Sequence, residues 1–247
     1  MLSARPTLAT TSFPKDRDPS VAIVTIATAR YYHAFIPGLI PSIQKNFLPH
    51  NPRQTFILTD QTTPTPDATL LPIAHEAWPL STLLRFHFIL RHAPAYAHFD
   101  YFFYIDADML VTDTITDGIL SAEGLSATEH PGYWPHKRGT FERNPASTAH
   151  LPRSYRGPYY QGCFFGGPMQ HILGMAAVLK ERIDADLAQK PQIIAEWWDE
   201  SHLNWYLAQH PPALSLPPSY AYVDEYRLPV PRKIVHLPKN HAAMRAG

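Results

Sequence analysis

Two aspartates, Asp106 and Asp108, stand directly after the run Tyr101-Phe102-Phe103-Tyr104-Ile105. An apolar, aromatic stretch of this kind suits a strand covered on both faces, as in α/β sheets. Ligands of such sheets bind beyond the carboxyl ends of the strands. Two carboxylates at that rim can hold a hard divalent cation through oxygen, and the cation can neutralise a diphosphate. The alternative is a solvated turn, because Asp-X-Asp is a common tripeptide.

The flanking sequence supplies elements that would build such a rim. Residues 21–27 are β-branched and apolar and predict a first buried strand. Phe35, Leu39, Ile43 and Phe47 recur every four residues and predict a helix over 31–47, kinked or late-starting because of Pro37 and Pro41. A second strand is expected over 54–60, a Thr- and Pro-rich surface loop over 61–67, and a short third strand over 70–75. Ser81 is placed to cap a helix over 82–92. The second half reads as an irregular stretch over 129–160 and a glycine-rich turn over 162–167. Helices over 169–188 and 197–208 and a polar end from His236 complete it. Strands alternating with helices imply a mostly parallel sheet, and no repeat or compositional break divides the chain.

Composition narrows the classes. The chain has 247 residues, with Lys+Arg and Asp+Glu both 21, so no bulk field draws it to nucleic acid or an anionic membrane. Fourteen histidines make its charge pH-sensitive below about 6.5. With 26 prolines against 11 glycines, many connections should be extended and stiff. Cys163 is the only cysteine, which excludes an intrachain disulfide and fits a reducing compartment. Residues 21–29 are too short and too broken by threonine to span a bilayer, and 1–20 lack an apolar leader core. The expectation is therefore a disordered arm over 1–20 and one domain over 21–247. The expected location is cytoplasmic, or the Golgi lumen if an upstream anchor has been removed.

Four further segments carry a resemblance. They are Thr140-Phe141-Glu142-Arg143, Tyr159 to Gly167 (YYQGCFFGG), Glu196 to Asn204 (EWWDESHLN), and Pro238 to Arg245 (PKNHAAMR). In this order and spacing they are similar to glycosyltransferase family six, which includes the histo-blood group A and B transferases and α-1,3-galactosyltransferase. The similarity runs over about 21–245. It implies a single-domain GT-A type fold, a Rossmann-like, mostly parallel sheet flanked by helices. It also implies retaining α-1,3 transfer of galactose or N-acetylgalactosamine from a UDP-sugar to a β-galactoside, perhaps a fucosylated one.

The resemblance assigns roles residue by residue. Asp106, Ala107 and Asp108 match the family's DxD, which binds Mn²⁺ bridged to the UDP diphosphate. Ile26, Ala27, Thr28 and Tyr31 match positions that bind uridine. Arg85 matches a helix arginine that pairs with donor-sugar groups and a site aspartate. Gln161-Gly162-Cys163 is the tripeptide that tunes donor choice, where cysteine favours galactose by its size. Glu200 matches the glutamate near the anomeric carbon, either nucleophile or charge stabiliser, and Asp199 implies bonds to sugar hydroxyls. Adjacent helical residues diverge by about 100°, so these two should reach different parts of the sugars. Trp197, Trp78, His130 and Thr140 match acceptor-side positions. Trp198 departs from the family's usual histidine and cannot accept a hydrogen bond. Lys239 and Arg245 match a basic pair on a C-terminal lid at about 236–247. A silent sugar-binding relative and a nucleotide-sugar hydrolase are the alternatives; the intact carboxylates and basic pair weigh against the first.

Overall fold

The computed structural model describes residues 17–240 and Met244. Strand β1 (Val21–Ile26) is buried at every position except its last, as its β-branched and small residues require. Helix α1 (Ala29–Asn46) follows and buries Tyr32, Phe35, Ile36, Leu39, Ile40 and Ile43. It starts earlier than the prolines suggested. Pro37 and Pro41 lie on its exposed face, so the carbonyls they leave without a donor can turn to water.

Strands β2 (Arg53–Thr59) and β3 (Thr69–Pro72) add in parallel beyond β1. The helix expected over 82–92 is instead three short ones, α2 (Leu80–Leu83), α3 (Arg85–Arg91) and α4 (Ala93–Tyr96). Ser81 caps nothing; Pro79 precedes the first helix, and none of the three has a side-chain cap. Leu84 (φ −89°, ψ 13°) and His92 (φ −101°, ψ 8°) sit in the bridge region between the pieces.

Strand β4 (Tyr101–Ile105) pairs with β1 in parallel. Its side chains alternate between two cores. Tyr101, Phe103 and Ile105 pack with the α1 residues, whereas Phe102 and Tyr104 pack with residues of α3 and α5 (Met169–Leu187). Phe102 and Phe103 are fully buried, worth ~2–3 kcal/mol each. Just before β4, Asp100 accepts hydrogen bonds from Arg17 Nη2 at 2.9 Å and Ser20 N at 2.7 Å. The last residues of the expected N-terminal arm are thus clasped to the sheet, and residues 1–16 lie outside those described.

Strands β5 (Met109–Val111), β6 (Ser126–Glu129), β7 (Tyr160–Pro168), β8 (Leu214–Leu216) and β9 (Ile234–His236) complete the two sheets. The seven-stranded sheet runs β3-β2-β1-β4-β7-β6-β8, with β7 alone reversed; β5 and β9 pair antiparallel as a second sheet. The glycine-rich turn expected over 162–167 is corrected to the interior of β7. Gly166 is glycine for packing, since a Cβ there would lie 2.1 Å from the Phe103 ring. Helix α6 (Trp198–Gln209) packs beside α5 and β7. The irregular segment before β7 is anchored by Asp186 of α5, which accepts from Ser147 Oγ and Thr148 N, both at 2.7 Å. No described helix is long and apolar enough to cross a membrane.

Candidate active site

Reversal of β7 brings its first residues beside the last of β4, and the Asp106 N–H donates to the Cys163 carbonyl at 2.9 Å. A cavity of about 300 Å³ opens at this edge of the sheet. From β1, the turn after it and the first turn of α1 come Ile26, Thr28 and Tyr31. Asp106, Ala107 and Asp108 follow β4, and Gln161, Gly162 and Cys163 open β7. Arg85, Trp78, Trp197, Trp198, Asp199, Glu200 and Lys239 close the ring. Ala27 is not part of this lining; it continues β1 into the core, its N–H bonded to Leu58 O at 3.0 Å.

One end of the cavity is ionic. Asp106 Oδ1 accepts from the Tyr104 hydroxyl at 2.8 Å and lies 3.4 Å from Arg85 Nη2. Asp108 is 4% exposed, and its Oδ2 accepts a close hydrogen bond from the Lys239 ammonium. Burial works against the Lys239 charge, but Asp108 and Asp106 outweigh it and raise its pKa. The start of the expected lid is fixed here: His236 lies in β9 and Lys239 on Asp108, whereas Arg245 lies outside the described residues. Among the described residues no group of three His, Cys, Asp or Glu could hold a metal. The two aspartates do offer hard oxygen donors. A divalent cation here would complete its shell from substrate phosphate and water, which suits an ion held by one or two carboxylates.

Arg85 organises the centre. It is 6% exposed, its Nε lies 3.0 Å from Asp199 Oδ2, its Nη1 donates to the Gly162 carbonyl, and its guanidinium sits 4.4 Å from the Tyr104 ring centroid. Burial opposes the Arg85 charge, but Asp199, Tyr104 and Asp106 prevail and its pKa is raised. Asp199 is buried, and burial lifts it to about 6 against the pull of Arg85. Neither of its oxygens accepts an aligned hydrogen bond among the described residues, so it retains acceptor capacity towards the cavity.

Glu200 sits in the first turn of α6, where the partial positive charge of a helix N-terminus favours a carboxylate. Its Oε1 accepts from the Tyr159 hydroxyl and its Oε2 from Gly162 N, each at 2.8 Å. Burial pushes its pKa up to about 7, although both hydrogen bonds work in the opposite sense. Asp199 and Glu200 do diverge as helical spacing requires, one held by Arg85 and the other by β7. Trp198 opens the helix at φ +50°, an uncommon conformation for so bulky a residue. Its ring stands 4.9 Å from Trp78 and 6.0 Å from Trp197, edge-on to both. Trp78 and Trp197 remain 44% and 38% exposed, an aromatic wall at the cavity mouth that can pack against the apolar faces of a sugar.

The structure sets His130 and Thr140 outside this lining. His130 packs against Tyr133 and Tyr159, its Nδ1 accepts from Gly132 N at 3.0 Å, and burial, then the neighbouring His236, lowers its pKa to about 4. Thr140 bonds the Tyr133 hydroxyl at 2.7 Å. Both stand behind Tyr159, one layer from Glu200. Cys163 is 2% exposed, and burial raises its thiol pKa well above the ordinary range. A chromogenic disulfide reagent is therefore expected to find no reactive thiol in the native chain and one after unfolding; rapid native reaction would contradict this burial.

Two functional tyrosines escaped the sequence reading. Tyr104 belongs to the apolar run before the aspartates, yet it bonds Asp106 and carries Arg85. Tyr159 was quoted only as a neighbour of Gln161, yet it holds Glu200. Each lies two residues before a named site residue, the spacing that puts strand side chains on one face.

Residues 11–246 match the sequence profile of glycosyltransferase family 6. Over 153 residues the chain is 39% identical to histo-blood group ABO system transferase 1 of Rattus norvegicus, covering 59% of this chain and 42% of that one. It is 28% identical over 228 residues to globoside alpha-1,3-N-acetylgalactosaminyltransferase 1 of Gallus gallus, covering 87% and 64%. It is 27% identical over 201 residues to the O-antigen biosynthesis glycosyltransferase WbnI of Escherichia coli, covering 79% and 85%. The matched regions thus span 42% and 64% of the rat and chicken relatives. The single α/β domain, its mostly parallel sheet and this nearly chain-long match agree with a GT-A type transferase, and the chain belongs to glycosyltransferase family 6.

Proposed function

We propose that the chain moves galactose, or less favourably N-acetylgalactosamine, from a UDP-sugar to the 3-hydroxyl of a β-galactoside, forming an α linkage with retention. The observation that carries this is the joining of two chemistries in one cavity. Asp106, Asp108 and Lys239 line it together with Asp199 and Glu200, and Arg85 bridges Asp106 and Asp199. The names of relatives support the linkage: one is a globoside alpha-1,3-N-acetylgalactosaminyltransferase, another an alpha-1,3-galactosyltransferase. Cys163 lines the cavity, and a residue larger than glycine or alanine at this place in the tripeptide favours galactose.

Asp106 and Asp108 would hold a divalent cation, Mn²⁺ in the family resemblance, whose charge offsets that of the diphosphate. Lys239, already at Asp108, adds its own charge to the departing UDP. Asp199, held by Arg85, offers acceptor oxygens to donor-sugar hydroxyls. The bond from the anomeric carbon to the phosphate oxygen breaks with its electron pair leaving on UDP. Glu200, as carboxylate, stabilises the positive charge that develops on the sugar. The acceptor oxygen then bonds to that carbon on the face UDP left, and its proton passes to the departing phosphate. Both Glu200 oxygens already accept a hydrogen bond, which favours this electrostatic role over covalent capture.

The test is UDP release from UDP-galactose and UDP-N-acetylgalactosamine, with Mn²⁺ or EDTA, with and without lactose or fucosyl-lactose. The expected result is cation-dependent release that rises with acceptor and is faster with UDP-galactose. Release indifferent to acceptor would point to a hydrolase. Undiminished release in EDTA would remove the metal role, and no release would reject the reading.

A further inference from the structure

The chain is neutral overall, yet five of its 21 basic residues fall within 136–156, a stretch whose only acidic residue is Glu142. That glutamate is buried and occupied by backbone, accepting from Asn144 N at 2.7 Å and Glu196 N at 2.6 Å. Arg138, Arg143 and Arg153 converge on a second cavity, about 250 Å³, that they share with Thr140, Phe141 and Glu196. Among the described residues no salt bridge pairs any of these arginines with a carboxylate. Arg143 is fixed by Nη1 hydrogen bonds to Leu151 O and Pro152 O, both at 2.7 Å, and packs 5.4 Å from the Phe141 ring centroid. Its Nη2 is buried and finds no hydrogen-bond partner among the described residues. Burial, then the charges of Arg138, Arg153 and Arg156, lowers its pKa, while the Glu196 carboxylate in the same cavity acts in the opposite sense. Gathering like charges around a buried, unmatched donor is costly unless an anion completes the site.

The cluster is joined to the reaction site. Thr140 bonds Tyr133, Tyr133 stacks edge-on to Tyr159 at 5.1 Å, and Tyr159 holds Glu200. Glu196 of the second cavity precedes Trp197 of the first in the chain. An acceptor whose reacting hydroxyl lies at Glu200 and whose remainder leaves over the exposed Trp197 therefore comes to Glu196 and the arginines that share its cavity. We propose that this cluster is an anion subsite that takes a phosphoryl group carried by the acceptor beyond its reacting galactose. The proposal rests on the transferase reading above and extends it to the chemical class of acceptor.

The test measures kcat and KM of the full chain, at low ionic strength, for a neutral β-galactoside and for the same galactoside bearing a phosphoryl group on its aglycone. Wild type is expected to show a KM roughly ten-fold lower for the phosphorylated acceptor. Arg138→Gln with Arg153→Gln, both at exposed positions, should erase that difference and leave the neutral acceptor's kcat and KM unchanged. Inorganic phosphate should compete with the phosphorylated acceptor alone. Equal KM values in wild type, or a preference that survives the double variant, overturn the proposal. Binding of inorganic phosphate without discrimination between the acceptors does so too. If neither acceptor is turned over, the transferase reading fails instead. Equilibrium titration with the two galactosides then decides the subsite: preference for the phosphorylated one, lost in the double variant, retains it, and no preference rejects it.

Discussion

Glu200→Gln is expected to lower kcat on the order of 10³-fold, ~4 kcal/mol of transition-state stabilisation, with donor KM little changed. Glutamine keeps the shape and can still accept from Gly162 N, so the loss reports the charge. The wild-type pH profile should point the same way. Burial lifts Glu200 to about 7 and the carboxylate is the active form, so turnover rises with pH through a midpoint near 7. Stability moves in the opposite sense. The folded protein binds this proton more tightly than the unfolded chain, whose ordinary value is 4.5. The stability linked to it is complete below that value and is lost as pH climbs through about 7. The glutamine variant cannot titrate, so above pH 7 it should need more urea to unfold than wild type does. A variant keeping more than about a tenth of wild-type turnover, or a flat wild-type profile between pH 6 and 8, would sink this role.

Arg85→Met should be the most damaging single change to folding, costing ~3–5 kcal/mol. Methionine fills similar volume, so the loss comes from charge. Asp199, 1% exposed, would lose its only ion-pair partner among the described residues, and Gly162 O would lose a donor. Asp199→Leu placed on top of Arg85→Met should recover much of the stability and none of the activity, a non-additivity that marks a coupled pair. Urea midpoints at pH 8 read both results. A cost below about 1 kcal/mol for the single variant would show Asp199 to be hydrated, and the centre would need another organiser.

The first half of the chain was legible because its strands carry their own signal. Residues 21–27 and 101–105 are apolar enough to demand burial on both faces, and the order of strand and helix gave the parallel sheet. Strand β7 was misread because three glycines look like a turn; only the Phe103 ring pressing on Gly166 explains one of them, and that contact is remote in sequence. Strands β5, β8 and β9 are three residues each, too short to show a period. In the site, Asp106 and Asp108 announced themselves by position. Glu200, Lys239 and Arg85 look like ordinary surface or helix charges in one dimension and became site residues through the family's spacing. Tyr159 stayed invisible because its partner, Glu200, lies on another element.

The reversed strand also sets what the wall of the cavity can accommodate. Asn204 grips Tyr160 at both backbone atoms, at 2.9 and 2.8 Å, and Cys163 O is tied to Asp106 N. The wall formed by Gln161, Gly162 and Cys163 is therefore held in backbone, and a Cβ at Gly162 would come to 3.2 Å from Arg85 Nη1. A side chain added at 162 would be felt first by Arg85 and Glu200, whose atoms lie nearest to it.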